Sequence, residues 1–187
     1  MHFWLVIDFI DGVDSNKCSR IVLLDILHQM PVFGLIHNGD DFFSHFACRD
    51  VTFAIELKVG GCERDVADMI FKYGVEEKTV VTSFNFEYIR AFKEYAGAIR
   101  VGYLTCNADD GCIRALADIG AEEICPKGED MTKEKVELWH SLGLNVRAWG
   151  ISDDEIMKKV YDIGADGMTV NFPDRLISYI RTKESEK

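Results

Sequence analysis

Glycine recurs at a nearly constant interval through most of the chain, and this rhythm most constrains how the chain can fold. Successive intervals are 23, 23, 23 and 21 residues, and the glycines are Gly74, Gly97, Gly120, Gly143 and Gly164. Each one follows an amphipathic stretch and precedes a short apolar run. Glycine has no Cβ, so it readily adopts the left-handed conformation that often ends a helix. The pattern therefore predicts repeated strand–helix units on a parallel sheet.

Helix starts are also visible in the sequence. The segment Ser152-Asp153-Asp154-Glu155 has the form of a capping box, in which a hydroxyl and a carboxylate satisfy backbone N–H groups. Asn85 and Thr132 stand where two further helices are expected to begin, and both residue types are good N-caps. These signals predict where the strand–helix units divide.

The number of units leaves two architectures open. From the segment FAIELK (residues 53–58) onward, the pattern predicts six strands with five helices between them. Upstream, HFWLVIDFI (2–10) and VFGLIH (32–37) are predicted strands, and RIVLLDILHQM (20–30) is predicted to be a helix. Eight strands is the number of an α/β barrel of the TIM type, but a doubly wound sheet has the same unit length.

Bulk properties exclude several classes of protein. The 187 residues suit one compact domain, and a formal charge of −11 disfavours binding to nucleic acid. A small phosphorylated substrate remains compatible, because a local site can reverse the sign of the field. Six cysteines without a C-x-x-C pair indicate reduced thiols rather than zinc ligands. With neither a signal peptide nor a membrane span visible, we expect a cytoplasmic protein.

The strand FAIELK carries the clearest candidate site. Its two-residue period places Glu56 and Lys58 on one face and the apolar side chains on the other. In an α/β barrel, functional groups lie at the carboxyl ends of the strands. Glu56 suits Mg²⁺ or Ca²⁺, which prefer oxygen ligands, and Lys58 suits a phosphate. The alternative is an internal ion pair that helps to fill the barrel.

Other polar residues fall at predicted strand ends. His37 follows the strand VFGLIH and precedes Asp40 and Asp41, so it is a candidate general acid or base, with a loop histidine of no role as the alternative. Trp149 is a candidate aromatic wall for a substrate, although aromatic residues also fill barrel cores. The remaining candidates are Ser83, Thr105, Lys127, Ser152 and Asn171.

Several segments together resemble the glycerophosphodiester phosphodiesterase family, a group of phospholipase-C-like TIM barrels. The segments are FAIELK, VVTSFNFEYIRAFKEY, IRVGYL and NVRAWGISDDEIMKKVYDIGADGMTVNFPD. In the same order, the family shows a strand ending in Ile-Glu-Leu-Lys, a Ser-Phe strand end before a helix, a Gly-x-Leu strand and a Val-x-x-Trp strand. The resemblance covers residues 51–180 of a single domain over residues 1–187, and residues 181–187 are expected to form a solvated tail.

The resemblance implies a fold, a reaction and roles for three residues. The fold would be a TIM-type (β/α) barrel, and the reaction would be metal-assisted hydrolysis of a glycerophosphodiester to glycerol 3-phosphate and an alcohol. Glu56 matches one of three carboxylates that hold a divalent cation, Mg²⁺ or Ca²⁺. Lys58 and Trp149 match substrate-binding residues. Two histidines act as general acid and base in the family.

The family's N-terminal motifs are missing from this sequence. These motifs are a His-Arg-Gly strand, a Glu-x-Asp metal pair and a second His-Asp; LIHNGD around His37 resembles the last only superficially. We therefore expect a barrel that is incomplete or distorted at its N-terminal side, either truncated or shortened by divergence. A chain without these groups should be close to inactive, so a non-catalytic binding or interaction domain is the alternative function. An incomplete barrel would expose strand edges and favour self-association.

Overall fold

The computed structural model describes residues 4–9, 21–23, 39–49 and 51–186. The strands are β1 Trp4–Phe9, β2 Ile21–Leu23, β3 Thr52–Leu57, β4 Thr79–Ser83, β5 Arg100–Thr105, β6 Glu123–Pro126, β7 Asn145–Ala148 and β8 Gly167–Met168. The helices are α1 Gly39–Phe46, α2 Glu63–Tyr73, α3 Phe86–Tyr95, α4 Asp110–Asp118, α5 Lys133–Ser141, α6 Asp154–Asp162 and α7 Pro173–Ser185. Within these ranges no helix has both the length and the apolar character needed to cross a membrane.

The eight strands form one sheet in the order β2-β1-β3-β4-β5-β6-β7-β8. Strands β3 to β8 alternate with helices α2 to α6, so the predicted six strands and five intervening helices are confirmed. Along the order β1-β3-β4-β5-β6-β7-β8, each pair of neighbouring strands is parallel. The sheet is part of a barrel wall, and among the described strands β2 and β8 lie at its open edges. The predicted incomplete α/β barrel is thus confirmed for this part of the chain.

The N-terminal part differs from the sequence prediction. HFWLVIDFI contains the strand β1, as predicted, but Ile21 to Leu23 form β2 rather than the start of a helix. β2 runs antiparallel to β1 and pairs Ile21 with Phe9. Ile21 and Val22 are β-branched and favour extended backbone. Pairing with β1 satisfies the backbone N–H and C=O groups of this segment, and the local sequence pattern does not reveal that partner. Residues 24–30, the predicted strand 32–37 and His37 lie outside the described residues.

Four of the five rhythmic glycines end helices in the predicted way. The φ angles are 62° at Gly74, 66° at Gly120, 80° at Gly143 and 90° at Gly164, all in the left-handed region. The prediction is wrong for Gly97, which is not left-handed. Instead, α3 ends at Tyr95 and is capped by Ala96, whose φ is −126° and whose N–H donates to the carbonyl of Phe92. Helix α3 therefore ends without a residue in the left-handed conformation.

The helix starts follow the predicted caps with one shift. Asn85 Oδ1 accepts a hydrogen bond from Glu87 N at 3.0 Å, which confirms Asn85 as the cap of α3. Thr132 caps α5 through Lys135 N at 3.4 Å. For α6 the cap is Asp153 rather than Ser152, because the Asp153 carboxylate accepts from two backbone N–H groups at 3.0 Å. The backbone hydrogen bond from Ile156, the Ser152 hydroxyl and the Glu155 N–H lower the pKa of Asp153.

The core lies between the sheet and the helices on its outer face. Phe53, Ile55 and Leu57 of β3 are buried in this core, opposite the face that carries Glu56. The two-residue period read from FAIELK is thereby confirmed. At the far end, residues 181–186 are mostly exposed, as expected, but α7 continues through them to Ser185.

Candidate functional site

Glu56 and Lys58 lie together at the carboxyl end of β3. Glu56 Oε2 is 4.0 Å from Lys58 Nζ, and the two side chains are 16% and 36% exposed. This distance is the outer limit of an ion pair, and the partial exposure places the pair at the rim of the sheet rather than inside a closed core. The geometry is compatible with both interpretations from the sequence, because Glu56 lines the cleft and also acts electrostatically on the buried Arg147.

A cleft of about 600 Å³ opens beside this pair. It lies where β3, β4 and β5 end, as predicted for a barrel site. Its lining residues are Glu56, Leu57, Lys58, Ser83, Phe84, Asn85, Phe86, Tyr88 and Tyr103. The cleft is concave and mixes aromatic walls with a few polar groups, which is typical of small-molecule sites.

Hydrogen bonds fix the loop between β4 and α3 at the cleft. The Ser83 hydroxyl donates to the Leu57 carbonyl at 2.6 Å and accepts from Asn85 N at 3.0 Å. Asn85 in turn caps α3, so the first residues of that helix line the cleft. Ser83 thus has a positioning role, and the positive end of the α3 dipole adds to the charge of Lys58.

Aromatic side chains form the other walls. A Cβ placed on Gly60 would lie 2.7 Å from Cε1 of Tyr88, so the Tyr88 ring packs directly on the Gly60 backbone. Burial and the nearby thiols of Cys112 and Cys106 raise the pKa of Tyr103, which keeps its phenol neutral. Sequence reasoning missed Tyr88 and Tyr103, because an aromatic residue in a helix or strand is read first as core.

Trp149 is not among the residues that line the larger cleft, but it contacts one of them, Phe84. Its ring centroid is 4.8 Å from that of Phe84, with the rings at 88°. The indole Nε1 donates to the carbonyl of Thr105 at 3.3 Å. Trp149 is half-buried, so it combines packing with access to ligands.

A second, smaller cleft of about 270 Å³ is lined in part by Thr105, whose carbonyl accepts from the Trp149 indole. Its lining residues are Thr105, Cys106, Asn107, Ala108, Pro126, Lys127, Asp130, Lys135 and Trp139. The sequence candidates Thr105 and Lys127 belong to this cleft. Ser152 and Asn171 are exposed and line neither cleft.

An ion pair is buried within the sheet, on the strands that lead to these clefts. Arg147 Nε lies 2.9 Å from Glu123 Oε1, and the two side chains are 3% and 4% exposed. Cys125 Sγ donates to the same carboxylate at 3.1 Å, and Arg147 Nη1 donates to Thr169 Oγ1 at 3.2 Å. Gly102 leaves room, since a Cβ there would lie 3.0 Å from Glu123 Oε1. Burial opposes the charge of the Arg147 guanidinium, but the adjacent carboxylate of Glu123 outweighs burial and raises the pKa of Arg147 above its usual value.

The described residues do not by themselves fit a divalent metal ion. Within ranges 39–49 and 51–186, no three His, Cys, Asp or Glu side chains are grouped to hold one. Glu56 is the carboxylate that lines the larger cleft. The backbone register places Asp8 of β1 next to Glu56 of β3, a neighbour that sequence reasoning did not identify.

The two histidines with described side chains lie away from the larger cleft. His140 Nε2 is 2.7 Å from Asp166 Oδ2, which also accepts from Val146 N at 2.7 Å. This pair sits at the amino end of β7, opposite the end where the clefts open. His45 packs edge-on against Phe46 at 4.9 Å. The described residues therefore bring no histidine to the cleft.

Comparisons with known proteins agree with the architecture. A glycerophosphodiester phosphodiesterase of Caldanaerobacter subterraneus is 26% identical over 147 residues, which is 75% of this chain and 60% of that protein. A solved structure from Galdieria sulphuraria named for the same enzyme matches with a TM-score of 0.76 and 19% identity, over 95% of this chain and 85% of its own. An Oleispira antarctica phosphodiesterase in complex with the product sn-glycerol-3-phosphate matches with a TM-score of 0.66 and 16% identity, over 95% and 84%.

The match to the relatives is partial in length. The chain spans 62%, 60% and 49% of the lengths of the first three relatives that it matches. At identities below 25%, the solved structures establish the shared barrel fold alone. The model of the Glycerophosphoryl diester phosphodiesterase family, however, matches residues 25–175, well over half of the chain. This chain therefore belongs to the glycerophosphoryl diester phosphodiesterase family.

Proposed function

We propose that this chain is a phosphoric diester hydrolase that converts glycerophosphodiesters to glycerol 3-phosphate and an alcohol. The observation that carries the proposal is the Glu56–Lys58 pair, 4.0 Å apart on a 600 Å³ cleft inside the family-matched region. The product bound to the Oleispira antarctica phosphodiesterase supports the same substrate class.

The cleft residues are suited to bind and orient such a substrate. The Lys58 ammonium attracts the phosphate, and the N-terminal end of α3 adds a second positive potential on the same side. The rings of Phe84 and Trp149 offer apolar surface to the carbon skeleton. Tyr88, held against Gly60, closes the third side.

The metal requirement remains a prediction from the family. A divalent cation would polarise the phosphate, and Glu56 is the residue predicted to bind it. The described residues do not add the other ligands that such an ion would need beside Glu56. Such a reaction would belong to lipid and glycerol metabolism, and the cytoplasmic location remains a prediction.

A non-catalytic binding domain is the second candidate. The observation that favours it is the position of His45 and His140, which lie away from the cleft in the described part of the chain. General acid–base catalysis contributes roughly 10²- to 10⁴-fold to rate. A chain that binds the diester without this contribution would hold its ligand and turn it over poorly.

Release of glycerol 3-phosphate tests the proposed hydrolysis. The whole chain is incubated with sn-glycero-3-phosphocholine and Mg²⁺ or Ca²⁺, and Glu56→Gln is compared with Glu137→Gln, an exposed carboxylate on α5. We expect turnover by the wild type, a loss of about 100-fold or more in Glu56→Gln and no change in the control. Absence of turnover by a wild-type chain that still binds the diester would favour the non-catalytic alternative.

A further inference from the structure

The loop between β3 and α2, residues 58–62, carries Lys58 and contains two consecutive glycines. Lys58 is its first residue, and Gly60 and Gly61 lie at its centre. Both glycines are exposed, and Gly61 has a φ of 91°, an angle that other residues rarely adopt. Glycine has the largest backbone freedom of any residue, so such a loop keeps a fixed conformation only where other groups contact it.

The segment that joins β4 to α3 contacts the chain on both sides of Lys58. Before Lys58, the Leu57 carbonyl accepts a hydrogen bond from the Ser83 hydroxyl at 2.6 Å. After Lys58, the ring of Tyr88 lies on Gly60, because a Cβ there would be only 2.7 Å from the ring atom Cε1. This distance is shorter than van der Waals contact, so only glycine lets the ring lie this close. The backbone of Lys58 is therefore held on both sides.

Helix α3 holds Tyr88 in turn. The N–H of Tyr88 donates to the carbonyl of Asn85, the cap of the helix, at 3.2 Å. The next residue, Ile89, is fully buried in the core, and the half-buried ring of Tyr88 also packs against that core. Since the helix fixes the ring, the ring can restrict the glycine loop rather than follow it.

The far end of the loop is held by a local contact. Glu63 Oε2, on the first residue of α2, accepts from Gly61 N at 2.8 Å. This bond joins residues two apart, so it shapes the turn without fixing where the turn lies. The packing of Tyr88, by contrast, joins the loop to a different element of the fold. Loss of the ring should therefore leave the turn formed but free its position, and with it that of Lys58.

We propose that Tyr88 is a positioning residue for Lys58: its ring, packed on Gly60, holds the loop so that the Lys58 ammonium stays at the cleft. This inference rests on the proposed function, in which Lys58 binds the phosphate of the ligand. Lys58 and Tyr88 both line the larger cleft. Because ordering a loop on binding costs free energy, a loop that is already fixed binds an anion more tightly.

Titration of the ¹⁵N-labelled whole chain with inorganic phosphate, followed by ¹H–¹⁵N NMR, tests this role. Phosphate has no carbon skeleton for an aromatic wall to contact, so its affinity reports on Lys58 rather than on that wall. Tyr88→Ala should weaken phosphate binding about fivefold. Tyr88→Phe keeps the ring and should restore the affinity. The control Tyr95→Ala removes an exposed tyrosine at the other end of α3 and should leave phosphate affinity unchanged.

Two further variants separate positioning from other effects of the ring. Gly60→Ala places a methyl group against Tyr88 and should weaken phosphate binding to a similar extent while the tyrosine is still present. In a chain that already carries Lys58→Met, Tyr88→Ala should cause no further loss, because the residue that it positions is absent. Urea unfolding of each variant verifies that it is folded.

An unchanged affinity in Tyr88→Ala, or losses that add in Lys58→Met combined with Tyr88→Ala, would overturn the positioning role. A wild type that does not bind phosphate would overturn it as well, since Lys58 would then have no phosphate to bind. The binding measurement is independent of turnover. Coupled losses in a chain that does not hydrolyse the diester would support the role and contradict the proposed reaction, whereas hydrolysis with additive losses would contradict the role alone.

Discussion

In the proposed function, Lys58 is the residue on which recognition of the phosphate depends most. Its ammonium is 4.0 Å from Glu56, and both side chains are partly exposed. An ion pair this long and this accessible contributes little to stability, so a phosphate can compete with Glu56 for the ammonium. We therefore propose that Lys58 acts mainly in ligand binding.

Substitution Lys58→Met should lower the affinity for sn-glycerol 3-phosphate by about tenfold, because a charge-assisted hydrogen bond is lost. The affinity that remains should depend less on salt, since a screened attraction is removed. Titration calorimetry at two ionic strengths measures both effects. Lys78→Met is the control, because Lys78 bonds to the Arg49 carbonyl, just ahead of β4. An unchanged affinity in Lys58→Met would contradict the assignment.

At the residue scale, the sequence predicted which face of a strand a side chain lies on better than it predicted the hydrogen-bond partners of that side chain. The period of FAIELK placed Glu56 and Lys58 on one face correctly, because alternation is a local property. The Ser83 hydroxyl donates to Leu57 O and accepts from Asn85 N. Because Leu57 belongs to the neighbouring strand, no local sequence pattern reveals this bond. Aromatic walls such as Tyr88 were missed for the same reason.

At the scale of elements, only some of the regularly spaced glycines are required by the backbone conformation. At the end of α4, Gly120 has a φ of 66°, and Ala121 N–H reaches back to Leu116 O at 2.9 Å. The left-handed residue makes this closure possible. Gly97, one period earlier, has no left-handed angle, and a Cβ there would meet its nearest neighbour, Lys93 O, at 3.6 Å.

The two glycines should therefore respond differently to alanine. Gly120→Ala should lower the free energy of unfolding by about 1–2 kcal/mol, the cost of a left-handed non-glycine residue. Gly97→Ala should leave it nearly unchanged, because alanine fits the backbone without a clash. Urea unfolding of both variants measures the difference. Equal destabilisation of the two variants would contradict the explanation that a left-handed backbone angle is what requires glycine at position 120.

The strand β2 marks where element prediction fails. The apolar run around Ile21 was read as a helix, yet residues 21–23 pair with β1. Short apolar runs do not distinguish a strand from a helix, and the partner strand decides. From β3 onward, helices α2 to α6 each have a side-chain N-cap, a left-handed glycine after their last turn, or both, and there the predicted order of elements is confirmed.

At the scale of the whole molecule, one buried ion pair joins the later strands. Arg147 of β7 binds Glu123 of β6 at 2.9 Å and Thr169, just after β8, at 3.2 Å. The network crosses the sheet below the clefts, and sequence reasoning did not find it. Two charged residues within apolar strands carry no signal of being partners until the strands are placed side by side.

Removal of one partner should be more harmful than removal of both. Arg147→Met leaves Glu123 buried and unpaired, and we expect a loss of about 3–5 kcal/mol in the free energy of unfolding. Glu123→Leu combined with Arg147→Met should recover most of this loss, because neither charge remains buried. Guanidinium unfolding of the single and double variants measures the coupling. A double variant as unstable as Arg147→Met would contradict the explanation.

The most direct measurement is titration of the ¹⁵N-labelled whole chain with sn-glycerol 3-phosphate, followed by ¹H–¹⁵N NMR. We expect saturable shifts concentrated at Glu56 to Lys58, at the first turn of α3 and at the indole N–H of Trp149. Shifts gathered instead at the opposite end of the sheet, around His140 and Asp166, or no saturable shifts at all, would contradict a phosphate-ester site at the carboxyl end of β3.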